Sequence, residues 1–589
     1  MPEVAGRRPA LRGAVALVAF STAAWWATIP TATLAAQTYA VASPLDASKL
    51  PGSAAQCMSQ AAGNPCTLRA AIETANGFAT GAAIVVPGGL PTIVLDPVKG
   101  PLSVSSSMTI EVEGAGTPRV DGAGAVIPLV LTGSTAVTIS GLSIQQGLGG
   151  GIVNSGATAN LRDVTVEGTQ GGDGIVSTGP LSMRGGSVTR NPGGGIVLSD
   201  DATLDHVSVT HNAGDGGLLT VAPLRVRDGS VSDNQAAGTG AGLLALGALE
   251  VTGTSIARNV TGSAGGGAVV GASARLARVR IEDNVAAEGG AGLLVVPVIT
   301  ATASADVADS AITGNSGPGG GGGLAVVTAS LTLSRSLVSG NASSDNSGGG
   351  IFAIESNVAL TNDTIAGNAA PAFGGGGIAQ VRLGTASPLG SASARVAQVA
   401  TARFLGARAR LAGLNLPARG LRAQRAVDAA PAAPGSGQVS LDSVTLAGNT
   451  AAGGGGLSND SGLLVTLHDT VVGNNAASVS GPDCSGRVTS RGYNLEGGAD
   501  CGVNGAGDHQ GADIGLRPLN ANGGPTHTMA LLPNSPAIDA GDPFCPPPSS
   551  DQRGVTRPQG SRCDIGAFEE EQVTPGPPAT GHPRLRTQV

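Results

Sequence analysis

The stretch LSMRGGSVTRNPGGGIVLSDDATLDHVSVTHN, residues Leu181–Asn212, contains the pattern that decides the fold of this chain. Two phrases in it, SVTRN and VSVTHN, share the same order of small polar, aliphatic and polar residues. Related phrases recur along the chain, and apart from one 81-residue step their spacing averages about 25 residues. Self-similarity at a fixed period of this size is typical of solenoid proteins. The twelve phrases end at Gly147, Thr169, Asn191, Asn212, Asn234, Asn259, Asn284, Asn315, Asn341, Asn368, Asn449 and Asn475.

Aligned on these endpoints, the copies have apolar residues at fixed offsets. Every copy has an aliphatic residue three positions before the endpoint and an apolar residue eight positions before it. The positions two and four before the endpoint are mostly polar, which gives the period of a β-strand. A single coil cannot bury its apolar face, but stacked copies can bury it against each other. The sequence therefore predicts an all-β, right-handed parallel β-helix of about twelve or more coils.

The endpoint asparagines and the glycines after them predict how the coils turn. Asn tolerates left-handed backbone and its amide can bond to neighbouring coils, so we expect Asn191, Asn212 and their equivalents to form tight turns. Gly-rich runs such as Gly149–Ile152 and Gly319–Leu324 follow these residues, and their length varies between coils. Because the runs recur in nearly every coil and precede strands, a phosphate-binding loop is a poor interpretation of them.

Residues 1–36 have the features of an export signal. Three arginines precede an apolar stretch of small residues, and cleavage after Ala36 would leave Gln37 at the start of the mature chain. A membrane anchor is the alternative, but polar residues and a proline interrupt a stretch that is already short for a span. We therefore expect a secreted, extracellular or surface-associated chain whose mature part has no transmembrane span.

All six cysteines follow that segment, and an even number of cysteines in an exported chain predicts disulfides. They fall into three pairs of near neighbours in sequence, which we expect to be the bonded pairs. The absence of any CxxC spacing argues against a zinc site. The predicted disulfides are Cys57–Cys66, Cys484–Cys501 and Cys545–Cys563.

Both ends of the repeat region carry longer motifs. CTLRAAIETANG, residues Cys66–Gly77, predicts a short helix with Thr67 as its N-cap and with Arg69 and Glu73 spaced to pair. Together with TYAV at Thr38–Val41 and with Asp46, it resembles the CSLREA-type N-terminal segment of secreted bacterial β-helix proteins.

The C-terminal region resembles the choice-of-anchor Q domain. The residues that carry this resemblance are NGGPTHTMALLPNSPAIDAGDPFC at Asn522–Cys545 and DQRGVTRPQGSRCDIGAFE at Asp551–Glu569. The two resemblances imply a secreted or surface-bound rod closed by a cap at each end. The predicted organisation is a signal peptide at 1–36, an N-terminal capping segment at 37–100, coils at 101–380, an Arg- and Ala-rich insertion at 381–437, the last coils at 438–500, a disulfide-bearing C-terminal domain at 501–570 and a disordered tail at 571–589.

The insertion, Val381–Gly437, interrupts the repeat and holds eight arginines against one acidic residue, Asp428. The first interpretation is a mobile loop on a corner of variable length. The second is a patch that binds a polyanionic polymer such as a surface polysaccharide. The candidate polyanion-binding residues are Arg395, Arg403, Arg408, Arg410, Arg419, Arg422 and Arg425.

Charged residues also stand next to the endpoints on successive coils. Stacking would bring them together, either as a solvated ladder of opposite charges or as the site of an enzyme that cleaves an acidic polysaccharide. The ladder is the favoured interpretation, so no catalytic residue is assigned. If the chain is a polysaccharide lyase or glycoside hydrolase, the candidates are Asp228, Asp233, Asp283, His206, His211, Arg258 and Arg278.

Composition narrows the function further. A formal charge of -8 argues against nucleic-acid binding, which needs a basic face. Aromatic residues are 2 % of the chain, and both tryptophans lie in the signal segment, so stacking platforms for sugars are scarce. We expect a structural, adhesive or polymer-binding protein without a cofactor, with a lyase or hydrolase as the alternative. Neither the ligand nor the oligomeric state follows from the sequence.

Overall fold

The computed structural model describes residues 37–53, 55–78, 81–298, 302–382, 437–459 and 461–571. The predicted signal peptide, nearly all of the insertion with its seven candidate arginines, and the tail from residue 572 lie outside these ranges.

The described residues form a parallel β-helix of about 14 turns, as the repeat predicts. Each coil visits up to four parallel sheets, which we number in the order in which the chain passes through them. Sheet 1 contains sixteen strands: Gln37–Ala40, Ala82–Pro87, Met108–Glu113, Ala136–Ser140, Thr158–Arg162, Leu181–Arg184, Ala202–Asp205, Leu224–Arg227, Leu249–Thr252, Ser273–Ala277, Ser304–Ala308, Ser330–Ser334, Asn357–Thr361, Gln438–Asp442, Leu464–His468 and Thr489–Ser490.

Sheet 2 contains short strands, most of them three residues long. Its fifteen strands are Ile93–Val94, Arg119–Asp121, Ser143–Gln145, Thr165–Glu167, Ser187–Thr189, Ser208–Thr210, Ser230–Ser232, Ser255–Ala257, Arg280–Glu282, Ala311–Thr313, Leu337–Ser339, Thr364–Ala366, Thr445–Ala447, Val471–Gly473 and Leu495–Glu496.

Sheets 3 and 4 complete the coil. Sheet 3 has eight strands: Gln235–Ala236, Val260–Thr261, Val285–Ala286, Ser316–Gly317, Ala342–Ser343, Ala369–Gly374, Thr450–Gly453 and Ala476–Ser480. Sheet 4 has fourteen strands: Leu102–Val104, Leu129–Thr132, Leu148–Ser155, Gln170–Ser177, Gly194–Leu198, Leu218–Thr220, Leu243–Ala245, Ala268–Val270, Leu293–Val295, Leu324–Val327, Ile351–Ile354, Ile378–Val381, Leu457–Asn459 and Cys484–Gly486.

The predicted apolar columns form the core. In sheet 2, Val231 lies in register between Val209 and Ile256, and each is 1 % exposed. The column eight positions before the endpoints fills the inner face of sheet 1 in the same way, with Leu204 paired to Val226. Period-two alternation thus places one side of each strand in a continuous core and the other side in solvent.

The endpoint asparagines stack as a buried ladder. From Asn191 to Asn475, each Nδ2 donates to the Oδ1 of the next asparagine at 2.9–3.0 Å. The link from Asn368 to Asn449 crosses the 81-residue step, so the insertion leaves the stack without breaking it. Asn475 donates instead to Asp483 Oδ1 at 3.0 Å, and this carboxylate ends the ladder.

The predicted bonding of the amides between coils is confirmed, but the predicted turn position is wrong by one residue. Left-handed backbone belongs to the residue before each asparagine, as at Asp233 (φ 59°) and Arg258 (φ 53°). The side chain of the asparagine itself points into the rod. Hydrogen bonds of its amide contribute more to stability there than they would at a solvent-exposed turn. Steric crowding explains the glycines that follow the asparagines. A Cβ at Gly242 would lie 2.8 Å from Asn259 Nδ2 and 2.3 Å from a backbone oxygen of the next coil.

A short helix, Leu68–Ala75, covers the N-terminal end of the core, and a single 3-10 turn, Pro97–Lys99, follows it. The Thr67 hydroxyl caps this helix, as predicted, by accepting from the Ala70 amide. The predicted Arg69–Glu73 pair does not form. Arg69 is 5 % exposed and pairs with Asp46 at 2.6 Å, and Glu73 instead accepts a hydrogen bond from the Lys49 amide.

The C-terminal region docks along the side of the rod as well as at its end. Its hydrogen bonds to sheet 2 and the preceding turn include those of Gln552 with Thr364, Ser550 with Asn362, and Ala567 with Thr445. Its apolar residues, among them Leu531, Ile565 and Phe568, pack with Val471 and Leu495 of sheet 2. The region therefore covers several of the last coils.

A half-buried charged cluster joins this region to sheet 1. His468 Nε2 lies 3.1 Å from an Asp542 oxygen, and its Nδ1 lies 3.5 Å from Asp442. Asp442, together with Asp469 and Asp542, raises the pKa of His468 to about 9, although burial opposes the shift. Burial also raises the pKa of Asp469 to about 6. His468 is therefore cationic at neutral pH and links the two parts electrostatically.

The structure contains the three disulfides expected from sequence proximity. Cys57–Cys66 lies beside the N-terminal helix, Cys484–Cys501 joins the last sheet-4 strand to the loop after the last coil, and Cys545–Cys563 lies within the C-terminal region. No cysteine in the described part of the chain is free.

Candidate functional site

Two columns of left-handed residues flank sheet 2 and hold the charged candidates. We call the turn between sheets 1 and 2 the upstream corner, and the turn after sheet 2 the downstream corner. Each turn has a residue with positive φ at the same position, so these residues stack coil after coil, and the charged ones named below are exposed or half-buried. The upstream corner carries Asp163, Gly185, His206, Asp228, Gly253, Arg278, Asp309 and Arg335, and the downstream corner carries Arg190, His211, Asp233, Arg258 and Asp283.

The catalytic candidates therefore separate into two groups. Asp228 and Asp233 stand at opposite ends of the strand Ser230–Ser232. His206 and Arg278 share the column of Asp228, whereas His211, Arg258 and Asp283 share the column of Asp233. The seven residues do not converge on one site.

The downstream corner is a ladder of opposite charges. Arg258 binds Asp233 with two hydrogen bonds, at 2.7 and 2.8 Å, and nearer the N-terminal end of the rod Arg190 binds Glu167 at 2.8 Å. The hydrogen bond from Arg258 holds the pKa of Asp233 below its usual value. Asp233 is thus ionised and occupied at neutral pH, which suits a structural pair and does not suit a general acid.

The upstream corner brings three ligating side chains together. The Asp205 carboxylate lies 2.6 Å from His206 Nδ1, and ligand atoms of Asp205, His206 and Asp228 all lie within 4.8 Å of one another. All three are solvent-accessible. Asp205 ends its sheet-1 strand and also faces Arg184, whose Nε is 3.6 Å from its carboxylate. A hydrogen-bonded carboxylate and imidazole at the edge of an open surface can bind a cation, orient a polar ligand or move a proton.

This cluster borders a groove of about 660 Å³ on the outer face of sheet 1. Arg162 and Arg184 occupy the same register position on adjacent strands and both are exposed. Among the described residues Arg162 has no ion-pair partner, and Arg184 keeps 75 % of its side chain exposed. The groove is lined by Asn160, Arg162, Asp163, Ser182, Arg184 and His206.

The charged face continues along sheet 1. Arg225 binds Glu250 at 3.1 Å and Arg275 lies 3.3 Å from Asp306, both pairs linking neighbouring strands. They line a second groove of about 430 Å³. Here every arginine has an acidic partner, so this groove offers a polymer fewer available cations than the first.

The charged residues of this face are not among the predicted site residues. The predicted ones stand next to the endpoints, whereas Arg184, Arg225 and Glu250 stand seven or nine positions before them. These positions flank the apolar column at eight, so period-two alternation would have placed them outside. The signal was therefore available in the repeat itself.

The insertion leaves the rod at the corner between sheets 4 and 1. It departs after the sheet-4 strand Ile378–Val381 and returns at the sheet-1 strand Gln438–Asp442. The arginines proposed to bind polyanions, Arg395 to Arg425, lie outside the described residues.

Fold and site together define a class, that of a parallel β-helix protein with a charged groove on one sheet. No family model matches the chain, and no curated protein matches it in sequence. The solved structures that are similar to it include a pectate lyase and an epimerase module. The pectate lyase Pel9A shares 11 % identity over 92 % of this chain and 98 % of its own, with a TM-score of 0.24. The A-module of the Azotobacter vinelandii mannuronan C-5 epimerase AlgE6 shares 12 % identity over 75 % of this chain and 94 % of its own, with a TM-score of 0.30.

At these identities and TM-scores, neither likeness supports a statement about what this chain binds. Across the part of the chain that the structure describes, no helix is long and apolar enough to cross a membrane.

Proposed function

We propose that this protein is a secreted β-helix rod that binds an acidic polysaccharide in the groove of Arg162 and Arg184 without cleaving it. The observation that carries the proposal is this pair of exposed guanidinium groups on adjacent coils, one without an acidic partner among the described residues. Coils stack at roughly 4.8 Å, so the two groups present a repeating pattern to an extended chain. Guanidinium groups bind carboxylates and sulfates through paired hydrogen bonds.

The neighbouring polar groups support binding by an extended ligand. Asn160 and Ser182 stand on the same strands as the arginines, and His206 closes one end of the groove. These side chains can hydrogen-bond sugar hydroxyls, and no aromatic side chain of the described residues lines the groove. Recognition there rests on charge and hydrogen bonds, so affinity should fall as salt rises.

The test is binding of polygalacturonate, alginate and a sulfated glycosaminoglycan to the purified mature chain. We expect the double variant Arg162→Gln/Arg184→Gln to lose most of the affinity. Arg280→Gln is the matched control, because Arg280 is similarly exposed but lies on sheet 2. Equal binding by the double variant and the control would overturn the assignment of the groove.

A second candidate function is cleavage of the bound polymer. The Asp205–His206–Asp228 cluster at the end of the groove favours it, because a carboxylate-oriented imidazole is a common general base. Reducing-end release, or absorbance from an unsaturated product, would detect hydrolase or lyase chemistry. Turnover abolished by His206→Ala, and unaffected by Asp233→Asn in the downstream ladder, would establish the enzyme and refute the non-catalytic proposal.

We also propose export of this chain through cleavage at Ala36 and membership of the CSLREA-type, choice-of-anchor Q β-helix family. Three disulfides in the described residues support an oxidising compartment. Charged residues of the C-terminal motif form a buried network, in which Arg557 and Glu569 are at most 2 % exposed. This burial gives the charged residues of the motif a structural role. Finding the protein in the culture medium with Gln37 as its first residue would support export, and retention of residues 1–36 would oppose it.

A further inference from the structure

Three acidic side chains converge where the last coil meets the C-terminal region. Asp483 directly precedes the final sheet-4 strand, Glu496 ends the final sheet-2 strand, and Asp500 lies in the loop that follows. A carboxylate oxygen from each lies within 4.8 Å of the others. Asp483 and Asp500 are sequence neighbours of the bonded Cys484 and Cys501, so the disulfide holds their backbones close.

Hydrogen bonds occupy part of this cluster. Asp483 accepts from Asn475 Nδ2 and from the Gly498 amide, both at 3.0 Å. Asp500 Oδ2 accepts from the Asp483 amide at 2.9 Å and from the Cys484 amide at 3.0 Å. These bonds fix the orientation of both carboxylates from the backbone side.

Glu496 supplies an independent observation. It is 1 % exposed, and its Oε1 accepts from the Cys501 amide at 2.7 Å. Its Oε2 is buried and has no hydrogen-bond donor among the described residues. Burying a carboxylate oxygen without a hydrogen-bond partner is energetically unfavourable. Its neighbours are two further carboxylates, whose negative charges add to that cost while all three groups are ionised.

No described Arg, Lys or His forms an ion pair with any of the three side chains. Burial, followed by the charge of nearby acids, raises the pKa of Glu496, and burial also raises the pKa of Asp483. The described part of the protein thus supplies no positive charge to balance these carboxylates. Asp500 is partly exposed, which leaves a path from solvent.

We propose that Asp483, Glu496 and Asp500 bind one Ca²⁺ ion, which fastens the Cys484–Cys501 loop to the end of the asparagine ladder. The donors are oxygens only, which selects a hard cation over zinc or copper. Ca²⁺ tolerates irregular ligand sets better than Mg²⁺, and water can complete the coordination on the Asp500 side. The inference is independent of polysaccharide binding.

The experiment uses the full mature chain, stripped with a chelator and then titrated with CaCl₂. We expect one ion per chain by calorimetry, with affinity in the range of extracellular modules, about 0.1–1 mM or tighter. Saturation should raise the melting temperature by a few degrees, because the ion binds only the folded state.

Glu496→Gln removes the unpartnered carboxylate oxygen and keeps the side-chain shape, so we expect calcium affinity to fall at least roughly tenfold. The matched control is Glu113→Gln, which makes the same change at an exposed carboxylate on the sheet-1 strand Met108–Glu113 and should leave the calcium response unchanged. Asp500→Asn, at a partly exposed position, repeats the test if Glu496→Gln does not fold. A wild-type chain that neither binds Ca²⁺ nor melts higher with it at about 10 mM overturns the proposal, as does a response lost in Glu113→Gln and kept in Glu496→Gln.

Discussion

Adjacent residues at the downstream corner contribute very differently to the stability of the fold. Asn259 is fully buried and makes ladder bonds in both directions, to Asn234 and Asn284. Arg258, one position earlier, keeps 58 % of its side chain exposed and pairs with Asp233. Desolvated hydrogen bonds are costly to break, whereas exposed ion pairs contribute little. Stability at this corner therefore resides in the amides.

We expect Asn259→Ala to lower the free energy of unfolding by about 3 kcal/mol, because it leaves amide groups above and below without partners. Arg258→Gln is the control; it keeps a non-glycine residue at positive φ and should cost less than about 1 kcal/mol. Chemical denaturation measures both. Equal costs would mean that the ladder contributes no more than a surface pair.

The core columns make a second prediction at this scale. Val231→Asp places an unpaired charge between Val209 and Ile256, and we expect it to cost several kcal/mol or to prevent folding. The half-buried Ser230 points to the other side of the strand, so Ser230→Asp should cost far less. A Val231→Asp protein that melts like wild type would contradict the column alignment.

Among the elements, the contact between sheet 1 and the C-terminal region depends on charge. His468 ends a sheet-1 strand and meets Asp542 from the docked region, with Asp442 on the neighbouring strand. The pKa of His468 is about 9 in the folded protein, against 6.5 for the free side chain. A group whose pKa rises on folding stabilises the fold fully below its unfolded value and loses this effect as pH rises through the folded value.

We therefore expect the stability of the docked region to fall between about pH 6.5 and 9, by about 3 kcal/mol at most. His468→Gln should be destabilised at the lower pH and should show little further loss across this window. His206→Gln, an exposed histidine elsewhere, should keep the wild-type profile. Denaturation at several pH values tests this, and a His468→Gln protein with the wild-type pH profile would refute it.

At the scale of the whole molecule, the rod is continuous past the insertion. Val381 pairs with Ile354 in sheet 4, and the Gln438 amide donates to Asn357 in sheet 1. Two residues, Glu355 and Ser356, connect these strands in the preceding coil. Stacking above and below the insertion thus needs no contribution from residues 383–436.

Deleting residues 383–436 joins Arg382 to Gly437 and recreates a two-residue turn like that of the preceding coil. We expect the deletion to change the melting temperature by only a few degrees, because the sheets and the asparagine ladder already cross this step. Limited trypsin treatment of the full chain should cut first between Arg382 and Arg425. A large loss of stability, or resistance of this segment to trypsin, would show that the insertion is folded against the rod.

The sequence by itself determined the coil, its period, its inward columns and the paired cysteines. Stacking makes this possible, because each residue meets its own equivalent one coil away and the aligned repeats already show which residues share a column. Each disulfide joins two cysteines that are close in sequence, so its pairing can be predicted without information from the rest of the chain. The same alternation predicts that the charged residues seven and nine positions before the endpoints face solvent.

Only the tertiary structure decided which residues meet outside the repeat columns, and where the C-terminal region docks. Asp483, Glu496 and Asp500 converge through the last turn and a disulfide, and His468 meets Asp542 across 74 residues. It also placed left-handed backbone one residue before the asparagine and assigned Arg69 to Asp46. These outcomes depend on burial and on competition between partners, which no local pattern encodes because the competing groups are distant in sequence.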